Sequence, residues 1–249
     1  MKMLSNIIGK YLKEELILIY TPGKVGSSTL EDSIPGSIHT HTLYDNPPNP
    51  PHWQLDYYTP FQKFKFKIKQ FIRRRMIKHS KKIIIISVIR EPISRNHSMF
   101  FQALPFWLAK TSSNLSKDRM SPREEGFEFL HHAFQKNFNH LYICEWFDKE
   151  IKRFTGIDIY QHEETDKGFY QVRKGKIHLL VVKLEDLERN IHYIEYATGK
   201  KITISEKNTG SKKWYSEIYK KFKESFKLDT ETFAKITSSN YYKKFYEKQ

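Results

Sequence analysis

The sequence predicts an α/β protein in which a central parallel sheet has helices on both faces. The segment Lys82–Ile89 contains five isoleucines and a valine, which is typical of a strand buried on both faces of a parallel sheet. An earlier apolar run, Leu16–Tyr20, leads into a turn rich in glycine and serine. Segments with helical periodicity alternate with these strands, and this alternation is the pattern of βαβ units.

The first half of the chain predicts a strand over Leu16–Tyr20, a helix starting within Ser27–Ser33 and a second short strand over Ser37–Leu43. The proline cluster Asn46–Pro51 predicts a loop, because proline neither donates to a sheet nor continues a helix. Apolar residues recur at helical spacing in Pro60–His79, which predicts a helix. The alternation of lysine with apolar residues at its start also fits a strand, but the longer window favours the helix.

After the isoleucine strand, Pro92 suits the first turn of a helix that runs to Gln102. Ile177–Lys183 predicts another strand, and Asn208–Gly210 predicts a loop. The remaining predicted helices are Gly126–Asn137, Trp146–Phe154, Trp214–Phe226 and Thr230–Tyr246.

The amino-acid composition limits the kinds of protein that the chain could be and the kinds of partner that it could bind. The 249 residues are 39% hydrophobic, which suffices for one core. The net charge of +15 favours anionic partners. The single cysteine, Cys144, excludes an internal disulfide, and Met1–Lys13 lacks the apolar core of a secretory signal. The longest apolar run is too short to span a bilayer. We expect a soluble, cytoplasmic protein.

The turn after the first strand combines the features of an anion site. Gly23 and Gly26 let the backbone approach a ligand closely, and Lys24 adds a positive charge. Ser27–Thr29 adds hydroxyl donors at a helix N-terminus, where unpaired N–H groups favour anions. The loop differs from G-x-x-x-x-G-K-[ST], because Lys24 precedes the last glycine. Taken alone, the turn is as consistent with an ordinary strand-to-helix connection as with an anion site.

A second candidate position follows the isoleucine strand. Arg90 stands at its carboxyl end, where an arginine can bind a phosphate through two parallel hydrogen bonds. Ser98 lies eight residues later, two turns along the helix that Pro92 starts. A surface pairing of Arg90 with Glu91 or Asp118 is the alternative. If the chain were a P-loop NTPase, we would expect a metal-binding acid at the end of this strand. The chain has Arg90 there instead, which argues against that class.

Together these motifs resemble sulfotransferases that use 3′-phosphoadenosine 5′-phosphosulfate (PAPS). Lys24–Thr29 resembles their 5′-phosphosulfate loop, and Arg90-x-Pro92 with Arg95 and Ser98 resembles their 3′-phosphate motif. Three later segments resemble a bacterial branch linked to capsular polysaccharide synthesis: Trp146–Glu150, Leu184–Leu187, and Asn208-x-Gly210 leading to Lys213–Ser216. The resemblance implies a P-loop-type three-layer fold and a single domain over residues 1–249, with C-terminal helices at about 211–246 packing on it.

The resemblance also implies a role for each matching residue. Lys24 contacts the bridging oxygen between phosphate and sulfate, and Val25, Gly26, Ser27, Ser28 and Thr29 surround the 5′-phosphate. Arg90 and Ser98 bind the 3′-phosphate. The arginine-lysine-glycine segment with which cytosolic sulfotransferases bind that phosphate is absent, and Asn208, Lys212 and Lys213 are the candidates to replace it. No metal is expected.

The acceptor hydroxyl requires a group that takes its proton, and two histidines are the nearest candidates. His39 and His41 project from one face if their segment is a strand, and histidine suits a general base. Some sulfotransferases with polysaccharide substrates have a catalytic histidine in the corresponding region. His41 is slightly preferred over His39. Glu31 and Asp32 are alternative bases, and a zinc site lacks a further ligand set.

Several other polar and aromatic residues have simpler explanations. Glu185 and Asp186 end a strand, where acids often cap the next helix. The side chains of Trp146, Trp214 and Tyr215 could stack on adenine or sugar, but aromatic residues at helical spacing are more often core.

The predicted activity is transfer of a sulfuryl group from PAPS to a sugar hydroxyl of a bacterial capsular polysaccharide or its precursor. The alternative is a P-loop-like nucleotide- or nucleic-acid-binding protein without this activity. No nucleic acid partner is expected, because the chain lacks an aromatic RNA-binding signature. The basic segment Lys63–Lys82 could contact an anionic membrane where glycans are assembled.

Overall fold

A computed structural model describes residues 14–44, 59–104, 124–203 and 215–247 of the chain. They form a five-stranded sheet and a set of helices. Strand β1 (Glu15–Tyr20) lies between β2 (Ile38–Thr40) and β3 (Lys82–Ile89), and both pairs are parallel. Strand β5 (Ile177–Lys183) continues the parallel sheet beside β3, whereas β4 (Phe169–Lys174) pairs with β5 in the antiparallel sense. The order is β2-β1-β3-β5-β4.

The described helices follow the strands in chain order. They are α1 Ser28–Ser33, α2 Pro60–His79, α3 Pro92–Gln102, α4 Glu124–Asn137, α5 Tyr142–Trp146, α6 Arg153–Thr155, α7 Leu187–Thr198, α8 Ser216–Ser225, α9 Thr230–Thr237 and α10 Asn240–Phe245. A π-helical stretch, Phe147–Lys152, joins α5 to α6, and 3₁₀ turns span Ile159–Gln161 and Leu184–Asp186. None of the helices in the described ranges is long and apolar enough to cross a lipid bilayer.

The mixed α/β class is confirmed, and two predicted strands, β3 and β5, have the predicted bounds. The helix prediction for α2 is also confirmed over its full length. The strand predicted over Ser37–Leu43 is shorter, because β2 ends at Thr40 and the chain then turns.

The predicted extent of one C-terminal helix is wrong, and the structure contains one strand that was not predicted. Thr230–Tyr246 forms two helices, because the Ser239 hydroxyl accepts a hydrogen bond from the Tyr242 amide at 3.2 Å and caps α10. The antiparallel strand β4 reaches β5 through a tight turn at Gly175, whose φ is 55°.

The described residues fall into two compact units. The first consists of residues 14–44, 59–90 and 145–203 and contains the sheet. Apolar residues from one sheet face, such as Ile19, Ile84 and Leu180, pack in a buried cluster with Leu30 of α1 and Ile194 of α7. This cluster fixes α1, and therefore the turn before it, against the sheet.

The opposite sheet face of the first unit has an aromatic contact at β1. Tyr20 packs edge-on against Trp146, with ring centroids 5.1 Å apart, and against Phe154 at 6.3 Å. Trp146 is fully buried, so the core explanation of this residue is confirmed.

The second unit consists of residues 91–104, 124–144 and 215–247. Its core is a cluster of phenylalanine rings from α3, α4 and α8. Phe134 lies 4.9 Å from Phe100 and 5.6 Å from Phe222. Tyr215 lies 5.8 Å from Phe101 and so belongs to the surroundings of this cluster.

A buried histidine gives the first unit a pH-dependent stability. His178 lies on β5 opposite Arg173 of β4, and burial, Arg173 and Lys82 together lower its pKa to about 4. The unfolded chain binds a proton near pH ~6.5, whereas the folded protein resists protonation until about pH 4. The free energy of unfolding should therefore fall by about 2 kcal/mol from pH ~7 to pH ~5 through this residue.

Urea denaturation of the wild type and of His178→Gln at these two pH values measures the contribution. Glutamine does not titrate, so the variant should lose less stability on acidification than the wild type. Equal losses in the two proteins would show that His178 is not the cause.

Candidate anion-binding site at the carboxyl end of the sheet

The site lies where the strand order reverses. After β1 the chain forms β2 on one side of it and then returns to form β3 on the other. In open α/β sheets, a crevice forms beyond the carboxyl ends of the strands at this reversal, and ligands bind there. The turn after β1 and Arg90 after β3 both lie at these strand ends.

The turn has an unusual backbone. Gly23, Lys24 and Gly26 have φ angles of 78°, 62° and 76°. Lys24 is the one non-glycine residue with a positive φ among those that the structure describes. A side chain in this conformation costs about 1–2 kcal/mol. Because such strain clusters at functional sites, the conformation of Lys24 makes it a candidate functional residue.

Gly26 faces the end of β5. A Cβ atom at this position would lie 2.7 Å from Leu184 Cδ1, so a larger residue would need the Leu184 side chain to shift and would also be strained by the positive φ. The next residue, Ser27, is the N-cap of α1, and its side chain makes no capping hydrogen bond. Val25 is fully buried beneath the turn, whereas Ser28 and Thr29 are half-buried. The loop is thus fixed by packing on one side and accessible on the other.

Arg90 reaches the same turn from the neighbouring strand. Its Nη1 donates a hydrogen bond to the Lys24 carbonyl oxygen at 3.4 Å, and its side chain is half-buried. Two cationic residues therefore meet at the ends of β1 and β3. Such a pair favours an anionic ligand on electrostatic grounds.

His39 belongs to a hydrogen-bonded chain that includes the loop. Its Nδ1 lies 2.7 Å from Glu31 Oε2, and its Nε2 lies 3.1 Å from Ser27 Oγ. A carboxylate only accepts hydrogen bonds, so Nδ1 bears a proton, and in the neutral ring Nε2 is the acceptor that faces Ser27. The side chain of His39 is 17% exposed and that of Glu31 is 52% exposed.

His41 has a different environment. Its Nδ1 donates to the Thr21 carbonyl oxygen at 2.9 Å, and its ring stands edge-on to that of His39, with centroids 4.7 Å apart. The two imidazoles are thus neighbours beside the turn. Their geometry does not decide which of them acts as a base.

Glu150 fixes the segment that follows β2, and no pattern in the sequence assigned it a role. Its buried carboxylate accepts hydrogen bonds from the Tyr20 hydroxyl, from the Leu43 amide at 2.7 Å and from the Tyr44 amide at 3.2 Å. The Trp146 indole N–H donates to the His41 carbonyl oxygen at 2.9 Å. The segment around Trp146 therefore supports the site from behind.

Arg73 of α2 supports the same strand, and it too was missed. Its Nη1 donates to Thr40 Oγ1 at 2.9 Å and its Nη2 donates to the His39 carbonyl oxygen at 3.2 Å. No spacing in the sequence links Arg73 to this strand. The only hint in the sequence is that Arg73 is an arginine in a helix whose other basic residues are mostly lysines.

Other predicted residues are not brought into this site. Ser98 and the buried Arg95 belong to the second unit, so their place beside Arg90 stays a prediction. Asn208, Lys212, Lys213 and Trp214 lie outside the described residues.

One of the two acids that end β5 does not behave as predicted. Asp186 occupies the N-cap position of α7, but its side chain makes no capping hydrogen bond, so the capping explanation of this residue is wrong. Its carbonyl oxygen instead accepts a hydrogen bond from Asn190 Nδ2 at 3.0 Å. Across the four described ranges, no group of three or more histidine, cysteine, aspartate or glutamate side chains has an arrangement suited to a metal ion.

Comparison with known families adds independent information. Residues 121–247, which are 127 of the 249, match the family model NKWYS, described as "Putative capsular polysaccharide synthesis protein". The chain belongs to this family. Membership in the NKWYS family supports the link to capsular polysaccharide synthesis that the sequence resemblance implies. The chain matches no curated protein and no solved structure.

The NKWYS match and the anion-site geometry concern different parts of the chain. The matched region starts at residue 121, after the loop of Lys24 and after Arg90. It includes β4, β5 and the segment Lys213–Ser216, whose letters are the last four of the family name. The NKWYS family description therefore bears on the biological context, whereas the binding of an anion depends on the loop and its neighbours.

Proposed function

We propose that the chain is a PAPS-dependent sulfotransferase that acts on a sugar hydroxyl of a bacterial capsular polysaccharide or of its precursor. The observation that carries the proposal is the position of Lys24. It occupies a strained left-handed conformation in the turn after β1, and Arg90 from the end of β3 donates to its carbonyl group. The NKWYS family supplies the polysaccharide context.

The residues at the turn fit a ligand with two phosphate groups. Gly26 is exposed and has no Cβ, so a ligand can approach its backbone closely. The hydroxyls of Ser28 and Thr29 are half-buried at the start of α1 and can donate to the 5′-phosphate. Arg90 suits the 3′-phosphate, because a guanidinium binds phosphate oxygens in pairs.

PAPS, when bound, supplies the sulfuryl group and a phosphate leaving group. Lys24 would stabilise the negative charge that develops on that phosphate, since a preformed positive charge does so without reorganisation. A sulfur–oxygen bond forms to the acceptor and another breaks at the phosphate, so the acceptor hydroxyl must lose a proton. No redox partner is needed for this balance.

Within this proposal we assign the role of base to His39. Glu31 fixes its Nδ1–H, so Nε2 is the basic atom and faces the loop at Ser27. His41 stays a second candidate, because its ring is adjacent. The rate at which His39→Asn and His41→Asn release 3′-phosphoadenosine 5′-phosphate from PAPS tests the choice. A normal rate for His39→Asn would transfer the role to His41.

The proposal includes further parts of the resemblance. They are a P-loop-type three-layer fold, a cytoplasmic location, a carbohydrate acceptor and a contribution of Asn208, Lys212 and Lys213 to the 3′-phosphate site. The mostly parallel sheet is compatible with the three-layer fold, and the capsular family is compatible with a carbohydrate acceptor.

Arg90→Ala is the sharpest test of the donor site. Calorimetric titration with 3′-phosphoadenosine 5′-phosphate should show affinity weakened by about 10–100-fold, because a charge-assisted phosphate contact contributes about 1.5–3 kcal/mol. Arg189→Ala is the matched control, since it removes the same charge from the exposed ion pair with Asp166. It should bind as the wild type does.

Two outcomes would contradict the proposal. Absence of binding by the wild type would remove the donor assignment, and equal affinities for wild type and Arg90→Ala would remove the role of Arg90. Tighter binding of ATP with Mg²⁺ than of the phosphoadenosine ligand would instead favour a nucleotide-binding protein.

A further inference from the structure

Helix α2 exposes a continuous apolar stripe. It spans 20 residues, or about 30 Å. Five of its large apolar side chains are between 43% and 63% exposed. They are Phe61, Phe64, Ile68, Phe71 and Ile72. Isolated exposed apolar residues are ordinary on protein surfaces, but a row of five on one helix indicates an interaction surface.

The stripe faces away from the body of the first unit. At 100° per residue, its five members fall within an arc of about 100°. Gln70 and Ile77, which are buried, lie on the opposite side of the helix. Arg73 and Arg74 attach this buried side to β2 and to the carbonyl oxygen of Leu43. The helix is therefore fixed in an orientation that presents the stripe to solvent.

Positive charge borders the stripe on both sides. Lys65 and Lys69 follow one flank and Lys67 and Lys78 the other, and all four are exposed. Helix α2 contains eight lysine and arginine residues and no aspartate or glutamate. The Lys65 ammonium also lies 4.4 Å from the Phe61 ring centroid, so its stem covers part of the aromatic surface.

We propose that α2 lies flat on an anionic phospholipid bilayer, with the stripe at the boundary of head groups and acyl chains. An apolar face bordered by lysines is the arrangement of helices that bind the membrane interface. The apolar residues enter the boundary while the lysine ammonium groups contact lipid phosphates. This inference concerns where the protein works and does not depend on the proposed sulfuryl transfer.

Two other partners fit the surface less well. A second copy of the same helix would bring eight positive charges against eight others without an intervening acid. A nucleic acid would meet Ile68 and Ile72 within the face, and these side chains neither stack on bases nor bind phosphate. The anionic bilayer complements both the charge and the apolar stripe.

Vesicle sedimentation tests the proposal with two sets of variants. The full-length protein should bind vesicles of phosphatidylcholine with about one third phosphatidylglycerol, and bind pure phosphatidylcholine at least about tenfold more weakly. Phe64→Ser/Ile68→Ser/Phe71→Ser should reduce binding by about tenfold or more. Lys65→Gln/Lys67→Gln/Lys69→Gln should reduce it comparably and remove most of its salt dependence.

Matched controls change the same residue types elsewhere. Tyr196→Ser/Phe233→Ser removes two exposed aromatic side chains, and Lys200→Gln/Lys201→Gln removes exposed charge. Both should bind as the wild type does. Urea midpoints should be unchanged in all variants, and the lysine variant tests the proposal if the stripe variant unfolds. The proposal would be overturned if the wild type did not bind the vesicles, or if both α2 variants bound them as the wild type does. It would also be overturned if the wild type dimerised or bound DNA through the stripe.

Discussion

Replacing Lys24 with glycine should lower the rate of sulfuryl transfer by at least about 100-fold while raising the free energy of unfolding by about 1 kcal/mol. The gain in stability has its origin in the positive φ of Lys24, and the loss of rate has its origin in the missing ammonium group. Glycine adopts this conformation without strain, so the folded protein gains stability. The substitution also removes the ammonium group to which we assign the stabilisation of the leaving phosphate, so the transition state of the proposed reaction should lose that positive charge.

The measurements separate the backbone effect from the charge effect. Release of 3′-phosphoadenosine 5′-phosphate from PAPS gives the rate, and urea denaturation gives the stability. Lys24→Ala is the matched control, because it removes the charge but keeps the strain of a Cβ at positive φ. It should lose as much rate as Lys24→Gly without the gain in stability.

Each half of this prediction can fail by itself. A wild-type rate in Lys24→Gly would show that the ammonium group does not act in the reaction. Equal stabilities of the glycine and alanine variants would show that the left-handed backbone at Lys24 is not strained.

Removing the Glu150 carboxylate should lower the free energy of unfolding by about 3 kcal/mol. Glu150 is 1% exposed, and its carboxylate accepts hydrogen bonds from the Tyr20 hydroxyl and from the Leu43 and Tyr44 amides. In Glu150→Ala these donors lose their acceptor. A buried donor without a partner loses its hydration and gains nothing in return.

Urea denaturation of Glu150→Ala and Glu150→Gln, with Asp148→Ala as the control, measures this contribution. Asp148 lies two residues away with an exposed carboxylate, so its loss should change stability by less than about 0.5 kcal/mol. Glutamine retains one oxygen acceptor, so Glu150→Gln should fall between the two. A Glu150→Ala protein as stable as the Asp148→Ala control would show that the buried hydrogen bonds contribute nothing net.

Local sequence signals located the principal strands. The isoleucine run of β3 and the valine-rich β5 need no distant information, because strands buried on both faces are apolar throughout. Strand β4 has alternating exposed and buried residues and contains Gln171, Arg173 and Lys174, so its sequence resembles an ordinary polar connection. Its pairing with β5 depends on a turn and on the neighbouring strand.

The candidate site divides in the same way. The proximity of Lys24 and Arg90 follows from a general rule, since the carboxyl ends of adjacent parallel strands share one edge of the sheet. The contact between Glu150 and Leu43 joins residues 107 positions apart, and no periodicity encodes it. The hydrogen bonds of His39 with Glu31 and Ser27 depend on the exact register of α1 beside β2.

The two edges of the sheet protect the protein against aggregation. The isoleucine strand β3 would readily pair with other chains, but it lies between β1 and β5. At one edge, β2 is only three residues long and Arg73 occupies the His39 carbonyl oxygen. At the other edge, β4 ends in the exposed charges of Arg173 and Lys174. Short or charged edges resist pairing between molecules, so both edges of this sheet disfavour the growth of fibres.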